Sequence, residues 1–322
     1  MDANKIAVVK FGGTSVADER ARTCAIARIS EYRRAGYSLA VIVSAMGRMG
    51  APYATDTLLS LVRGEDTLPE TRDLIMSCGE TISACVFADA LCKEGVPAVP
   101  FTGATAGIQT DGIHLAAEVT GMDTRRVLQA LAAGNVAVIT GFQGISETGA
   151  VTTLGRGGSD TSAVCVAGYL GADETVIYTD VPGVAECDPR VVPEARFLGE
   201  IDCDDMLLLA RLGAGVVHPR AIEAGKRFSM PVWVRSTFES TQGTKISALG
   251  NKPEGFVGIA MKRRGESDAV SMVYRDAARV AGRVAELFPG APVGAEGDAV
   301  SVMLPGAEAA AAARTLYAAF AR

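Results

Sequence analysis

The chain has 322 residues, of which 48% are apolar and 21% charged, so it can bury a sizeable core and does not have the composition of a disordered protein. Its 31 basic and 37 acidic residues give a formal net charge of −6, which excludes the basic footprint of a general nucleic-acid binder or a polybasic membrane binder. No uninterrupted run of about eighteen apolar residues and no secretory signal pattern is found, so we expect a cytoplasmic protein without a membrane partner.

Short apolar runs alternate with longer segments of helical periodicity through most of the chain. Strands are predicted at 6–11, 39–44, 96–102, 135–141, 175–179 and 231–235, and helices at 18–35, 71–93, 159–171 and 204–212. Strands separated by helices favour an α/β fold with a mostly parallel sheet. Ligands bind such sheets at the carboxyl ends of the strands, where several glycine-rich segments of this chain fall.

The last quarter of the chain has a different pattern. After a linker-like segment at 250–255, strands are predicted at 256–262, 269–274 and 299–304, and helices at 276–288 and 307–321. This is enough for a small α+β unit of ferredoxin-like type. We therefore predict two domains, 1–248 and 255–322. Because a single unit of this kind leaves a sheet edge or face open, we expect a homodimer built on the apolar strand segments 256–260 and 300–304.

The sequence KFGGTS lies between the first strand and the first helix. Gly12 and Gly13 would let backbone N–H groups approach an anion, the helix start favours negative charge, and Lys10 adds a positive charge. The motif is not a Walker A loop, because its lysine precedes the glycines. An ordinary tight turn with a surface lysine accounts for this segment equally well.

The sequence GRGGSDT, residues 155–161, also follows a strand-like run and precedes a helix. Arg156 beside a helix start is suited to holding a carboxylate or phosphate, and Ser159 is a candidate N-cap. Asp160 could orient Lys10 or a metal ion. The alternative is a capped helix that follows a flexible glycine loop.

Three further segments carry candidate polar groups. Thr179 and Asp180 end a strand, and Arg190 follows about ten residues later, a pattern suited to a nucleotide although simple turns explain it better in isolation. Ser44 follows the second strand. Glu80, in SCGE, could meet a substrate amino group or be a solvated helical residue. Seven cysteines without CxxC spacing and only two histidines do not suggest a metal site.

Taken together, these motifs resemble one family. KFGGTS, VSAMG, SCGE, GFQG, GRGGSDT, TDVPGV with DPR, and HPRAIE occur in the order and spacing of aspartate kinases, within the amino acid kinase superfamily. The resemblance covers about residues 5–245. It implies an αβα sandwich around a mostly parallel eight-stranded sheet, followed by a small ACT-like module. It also implies transfer of the ATP γ-phosphoryl group to the β-carboxylate of L-aspartate, the first step toward lysine, threonine and methionine.

The resemblance also implies roles for individual residues. Catalysis would rest on Lys10, Asp160 and Arg156, with ATP entering as a Mg²⁺ complex held largely by its phosphates and water. Aspartate would be held by Ser44, Thr55, Glu80, Arg156 and Ser159. The nucleotide would be held by Lys10, Gly12, Gly13, Ser15, Thr179, Asp180 and Arg190.

The chain departs from the family pattern at several points. Gly215 stands where the family usually has a lysine that faces the ATP phosphates, and Lys226 and Arg220 are the nearby candidates to replace that charge. Ala185 stands where a tyrosine is common. The C-terminal part has room for one ACT-like module where the family has two. These departures leave two alternatives: a kinase of another acidic small molecule, or a catalytically weak homologue that acts as a regulatory partner.

Overall fold

The structure is a computed structural model that describes residues 5–62, 64, 66–248, 254–265 and 267–321. Its helices are α1 Glu19–Arg34, α2 Thr55–Leu59, α3 Pro69–Lys93, α4 Gly103–Ala106, α5 Arg125–Ala132, α6 Gly158–Leu170, α7 Cys203–Leu212, α8 Pro219–Phe228, α9 Ala278–Leu287 and α10 Gly306–Phe320. Its strands are β1 Ile6–Phe11, β2 Ser38–Val43, β3 Ala98–Phe101, β4 Ile108–Thr110, β5 Val119–Met122, β6 Val136–Thr140, β7 Gln143–Ile145, β8 Val151–Thr153, β9 Glu174–Thr179, β10 Glu200–Asp202, β11 Val232–Ser236, β12 Thr244–Ser247, β13 Phe256–Arg264, β14 Ser267–Tyr274, β15 Val293–Glu296 and β16 Ala299–Pro305.

The largest sheet has eight strands in the order β10-β12-β11-β9-β1-β2-β6-β3. All neighbouring pairs are parallel except β11 with β12. The expectation of a mostly parallel eight-stranded sheet is therefore confirmed. β1 is central, and the chain turns from it to β2 on one side and later to β9 on the other. Such a reversal of strand order opens a crevice at the carboxyl ends of the strands, where ligands bind.

Helices cover both faces of this sheet. On one face α1 and α3 bury Ile29 and Phe87 against β1 residues such as Phe11. On the other, α6 and α7 form a core that includes Val164 and Leu209. α1 begins where the Asp18 carboxylate accepts a hydrogen bond from the backbone N–H of Ala21 at 2.8 Å, which satisfies a free amide of the first turn. The result is the three-layer sandwich that the family resemblance implies.

A second sheet, of order β5-β4-β7-β8, was absent from the sequence-based prediction. Its strands have only three or four residues, too few for an alternating pattern to stand out. β8 lies beside α3, where the hydroxyl of Thr153 donates to the buried carboxylate of Asp73. This small sheet therefore fixes the position of α3 at the edge of the crevice.

The C-terminal part forms an antiparallel sheet of order β13-β14-β16-β15, with α9 and α10 packed on one face. β14, α9 and β15 make a split βαβ unit with β16 between its two strands, as in ferredoxin-like folds. The ferredoxin-like prediction is confirmed, and β15 is a strand that the sequence pattern missed. The predicted linker at 250–255 lies mostly outside the described residues.

α3 is the one helix of the described part of the chain that is long and apolar enough to cross a membrane, judged by length and composition alone. Half of its most apolar window is buried inside the fold. It also carries the buried carboxylates Asp73 and Glu80. These features are those of a core helix.

Candidate active site

A cavity of about 1070 Å³ lies at the carboxyl ends of the central strands, beside the start of α6. This volume is large enough for a nucleotide together with a small acidic molecule. It brings together most of the residues predicted to bind substrate or to act in catalysis: Lys10, Gly13, Ser44, Thr55, Glu80, Arg156, Ser159 and Asp160.

An ion pair connects the end of β1 to the first turn of α6. Lys10 Nζ lies 2.6 Å from an oxygen of the Asp160 carboxylate, and the two side chains are 12% and 14% exposed. At this level of burial the pair is screened less than a surface pair, so Asp160 holds the Lys10 ammonium in place. Gly12 adjoins this ammonium, since a Cβ at position 12 would lie 3.5 Å from Lys10 Nζ.

Gly13 allows the turn after β1 to approach the loop after β2. A Cβ at this position would lie 2.6 Å from the carbonyl oxygen of Gly47 and 2.7 Å from that of Ala45, closer than any side chain tolerates. The N–H of Gly47 donates to the carbonyl of Gly13 at 3.0 Å, which ties the two loops together. The second glycine of KFGGTS is thus required by packing, beside any role in binding an anion.

Glu80 is buried at the wall of the cavity, with 2% of the residue exposed. One carboxylate oxygen accepts from the N–H of Ala45 at 3.1 Å and from the hydroxyl of Thr55 at 3.5 Å. The other has no hydrogen-bond partner within the described residues. Burial raises the pKa of Glu80 to about 8, against the opposing effect of these hydrogen bonds. A buried carboxylate oxygen without a partner is costly, and a cationic ligand group would satisfy it.

Gly79 makes room for the contacts around Glu80. A Cβ there would lie 2.7 Å from the carbonyl oxygen of Tyr53 and 2.8 Å from the Ala45 Cβ. Because position 79 is glycine, the loop after β2 and the segment before α2 both reach the helix next to Glu80. The glycine of SCGE therefore shapes this end of the cavity.

Arg156 and Ser159 come from the loop that leads into α6. Arg156 is exposed at the cavity and has no ion pair or hydrogen bond with any described residue. Ser159 fits tightly against Gly141, where a Cβ would lie 2.9 Å from the Ser159 hydroxyl. The expected capping role differs from the structure, since Gly157 occupies the N-cap position in the left-handed region at φ +70°. Arg156 is thus a free cation at the cavity.

Several residues predicted to bind the nucleotide lie outside the cavity lining. Ser15 is fully buried, and its hydroxyl lies 2.7 Å from that of Thr237, so in this structure it does not face the cavity. Gly12 is also outside the lining, although it adjoins Lys10.

The loop 179–190 carries the remaining three predicted nucleotide residues, and they pair with their neighbours. The Thr179 hydroxyl donates to Asp180 at 3.1 Å, and Asp180 pairs with Arg48 at 3.2 Å. Arg190 is 90% exposed and pairs with Asp188 at 2.7 Å. Their role in binding a nucleotide stays a prediction.

The two candidates to replace the family lysine do not reach the cavity. Lys226 pairs with Asp204 at 2.5 Å on the surface, and the guanidinium of Arg220 donates to the carbonyls of Leu154 and Ala117. Gly215 does line the cavity, and a Cβ there would have nothing within 4 Å. In this structure, therefore, neither Lys226 nor Arg220 lies where it could supply the charge that Gly215 lacks.

Sequence reasoning missed other charged residues of the lining, among them Arg72, Arg211 and Lys262. Arg72, Met76 and Glu80 are spaced by four along α3 and therefore share one helical face, a signal that the sequence did contain. Lys262 comes from β13, far along the chain, and no local pattern could have placed it here.

Neither histidine forms a metal centre, and no group of three or more His, Cys, Asp or Glu that could hold a metal ion occurs among the described residues. His218 lines the cavity but acts as the N-cap of α8, where its Nδ1 accepts from the N–H of Arg220 at 3.4 Å. Burial lowers the pKa of His218, which keeps the ring neutral and able to accept.

The sequence profile of the amino acid kinase family matches residues 5–236. Aspartokinase 1 of Bacillus subtilis is 45% identical over 246 residues, which cover 76% of this chain and 61% of that protein. An aspartokinase of Thermus thermophilus is 43% identical over 260 residues, 80% of this chain and 63% of the relative. The chain thus spans about three-fifths of the length of these curated relatives.

Solved structures share the fold. Aspartokinase III of E. coli, crystallised with aspartate and ADP, superposes with a TM-score of 0.82 at 21% identity, over 98% of this chain and 99% of that one. The aspartate kinase of Synechocystis gives a TM-score of 0.67 at 32% identity, over 97% of this chain and 55% of that one. Both parts of the chain are therefore included in the structural match.

Proposed function

The chain belongs to the amino acid kinase family, and on that premise we propose that it transfers the γ-phosphoryl group of ATP to the β-carboxylate of L-aspartate. The names of its relatives support the reaction, and E. coli aspartokinase III has been crystallised with aspartate and ADP. The observation that carries the choice of acceptor is the buried, unpartnered oxygen of Glu80 in the same cavity as the unpaired Arg156.

The charges of the cavity complement those of an α-amino dicarboxylate. Glu80 offers a carboxylate oxygen to the α-ammonium, and Arg156 offers a guanidinium to the α-carboxylate. Thr55, Ser44 and Ser159 add hydroxyl groups to the same lining. With both α-substituents held, the β-carboxylate is the remaining reactive group.

Phosphoryl transfer in this cavity needs no general base. A carboxylate is ionised at neutral pH, so its oxygen can attack the γ-phosphorus directly while the bond to the β–γ bridging oxygen breaks and ADP leaves. The difficulty is the accumulated negative charge, which catalysis of this kind overcomes by positioning and neutralisation. Lys10, held by Asp160, is placed to neutralise the transferring group.

We propose that ATP enters as a Mg²⁺ complex. Mg²⁺ prefers octahedral oxygen ligands and keeps several waters, so the phosphates and water would hold it, and the Asp160 carboxylate offers an oxygen of the preferred type in the same cavity. The metal would neutralise phosphate charge. The loop 179–190 would contact the adenosine side.

The test is ADP release with L-aspartate, with L-glutamate and without acceptor, together with trapping of the acyl phosphate by hydroxylamine. We expect release only with L-aspartate and none with its β-methyl ester, which blocks the attacking oxygen. Release that does not depend on an acceptor, or a preference for glutamate, would contradict the proposal.

Arg156→Ala gives a sharper version of this test. The loss of a charge-assisted pair should raise the KM for aspartate about tenfold or more while the KM for ATP changes little. Arg126→Ala, which removes an exposed arginine of α5 outside the cavity, is the matched control. A change confined to the KM for ATP would contradict the assigned role.

We propose further that the protein is a cytoplasmic homodimer with domains 1–248 and 255–322. The dimer contact was predicted on the strand segments 256–260 and 300–304. Val300, Val302 and Leu304 of the second segment are buried against α9 and α10 within the same chain, so they are not free to contact a second copy. The exposed edge strand β15 is the better candidate for the contact. Light scattering that gives about 33 kDa at micromolar concentration would contradict the dimer.

A further inference from the structure

The C-terminal module contributes a side chain to the catalytic cavity. β13 alternates between two surfaces, because successive side chains of a strand point to opposite faces. Ile259 and Met261 join the core under α9 and α10. Ala260 faces the other way and belongs to the core around α7. Lys262 continues the α7 side and reaches the cavity lining, where its Nζ donates to the carbonyl of Arg211 at 3.1 Å.

β13 is held firmly against α7 and the loop after it. Arg275, at the end of β14, lies 2.5 Å from the buried carboxylate of Asp205 on α7. Gly213, just after α7, sits so close to β13 that a Cβ would lie 2.2 Å from the carbonyl oxygen of Met261. A side chain at position 213 would push β13 away. The backbone that carries Lys262 is therefore fixed relative to the cavity.

The charges around Lys262 leave its ammonium available to a ligand. Among the other cations of the lining, Lys10 pairs with Asp160, Arg211 pairs with Glu223 at 2.8 Å, and the unpaired Arg156 is assigned to the carboxylate of the acceptor. Lys262 is exposed, and its polar partner among the described residues is a neutral carbonyl. An exposed ammonium loses little by leaving a single carbonyl for a phosphate, which carries full negative charge.

The wall next to Lys262 is open. A Cβ at Gly213 would lie 3.1 Å from the Cβ of Lys262. Gly215 follows two residues later and also lines the cavity, and nothing lies within 4 Å of where its Cβ would be. A lysine side chain is a flexible stem with a point charge at its end, and it can sweep into such a space. Of the ligands considered, a polyphosphate has the most negative charge for the Lys262 ammonium to bind in this space.

We propose, on the basis of the proposed function, that Lys262 binds the phosphates of the nucleotide and so makes the C-terminal module part of the nucleotide site. The charge that Gly215 cannot supply then comes from β13, not from α8. Lys262 binds from the wall formed by β13 and the loop after α7, whereas Lys10 lies at the end of β1.

The experiment measures dissociation constants for ATP, ADP and adenosine without aspartate, by titration calorimetry on the whole chain. Lys262→Met should weaken ATP binding about tenfold, because a charge-assisted contact to phosphate is lost, and should leave adenosine binding unchanged. Lys262→Arg should bind ATP within about twofold of the parent chain, because the charge is kept. Arg263→Met is the matched control: it removes the same charge from the neighbouring residue of β13, which is exposed and outside the cavity.

A rescue variant shows whether a loss of ATP affinity comes from the missing charge or from a damaged fold. Gly215→Lys in the Lys262→Met background should restore most of the ATP affinity, because it returns a cation to the same open space. Equal losses in Lys262→Met and Arg263→Met, a loss shared by adenosine, or no loss at all would overturn the inference. Failure of the proposed function is read separately, from the aspartate dependence of ADP release by the parent chain.

Discussion

The end of the cavity around Glu80 and the loop 179–190 were both expected to bind substrate, yet they are built differently. Glu80 is buried, held by backbone and hydroxyl groups, and keeps one oxygen unpartnered. In the loop, Asp180 and Arg190 are exposed and already paired with Arg48 and Asp188. A prearranged polar group without a partner gains a hydrogen bond or ion pair when the ligand binds. An exposed pair must first give up its existing partner, so it gains less. The buried end should therefore dominate catalysis and acceptor recognition.

Among the substitutions that test this comparison, Lys10→Ala should have the largest effect on activity. On the proposed function it removes the cation that neutralises the transferring group, and we expect kcat to fall at least about a hundredfold, as for other electrostatic contributions to catalysis. Circular dichroism should show that the fold is kept, whereas the melting temperature should fall, because the mostly buried Asp160 carboxylate loses its partner. Turnover close to that of the parent chain would refute the catalytic assignment.

Glu80 should make acceptor binding depend on pH. Its folded pKa of about 8 lies above the ordinary value of 4.5, so below pH 8 the carboxyl is mostly protonated and cannot pair with an ammonium. The KM for aspartate should thus fall about twentyfold between pH 6.5 and 8.5, as the ionised fraction rises. Glu80→Gln should bind aspartate weakly at every pH. A KM independent of pH in the parent chain would contradict this.

The same shift has a consequence for stability, with the opposite sense. A carboxyl whose pKa is raised on folding stabilises the fold below its unfolded pKa, and that contribution is lost as pH rises through the folded value of about 8. The unfolding free energy of the parent chain, compared with that of Glu80→Gln, should therefore decline between about pH 4.5 and 8. Chemical denaturation at several pH values measures the difference.

Gly79→Ala tests whether the buried end depends on close backbone approach. The added Cβ would meet the Tyr53 carbonyl at 2.7 Å, so the segment before α2 must shift. Overpacking of this kind costs about 1–3 kcal/mol of stability, and the shift should also raise the KM for aspartate. Gly282→Ala in α9, where a Cβ has nothing within 4 Å, is the control. Equal stability of the two variants would contradict the packing argument.

Arg190→Ala should have the smallest effect. Its guanidinium is 90% exposed and paired with Asp188, so we expect the KM for ATP to rise no more than about threefold, in keeping with a surface charge pair. Titration of ATP in the steady state measures it. A tenfold rise in the KM for ATP would show that the loop 179–190 rearranges to bind the nucleotide. The proposed difference between this loop and the end of the cavity around Glu80 would then be wrong.

The buried surroundings of Glu80 were easier to predict from the sequence than the exposed loop 179–190. KFGGTS and SCGE mark places where only glycine fits, as Gly13 and Gly79 demonstrate, so their neighbours Lys10 and Glu80 could be placed correctly at the cavity. Six of the eight strands of the main sheet were predictable because they are mostly apolar runs, whereas β10 and β12 have only three and four residues, are partly polar and were missed. The orientation of Ser15 could not be predicted, because a hydroxyl near a glycine turn can face inward to Thr237 as easily as outward; its role in binding the nucleotide stays a prediction.

Contacts between distant segments were beyond local patterns. The strands of the small sheet are too short to show periodicity. Lys262 is separated from Lys10 by most of the chain, and its place in the cavity depends on how β13 lies on α7. Such a residue can be found only when the tertiary contact itself is known.

The position of β13 between two cores bears on how the chain unfolds. Ala260 belongs to the core of the large sheet, and Ile259 belongs to the core of the C-terminal module. Neither core can therefore unfold without losing its contacts with β13. Segments linked in this way melt together, as one cooperative unit. Calorimetry should accordingly record a single transition for the 322-residue chain, and a ligand of the cavity should raise the melting temperature of both modules at once.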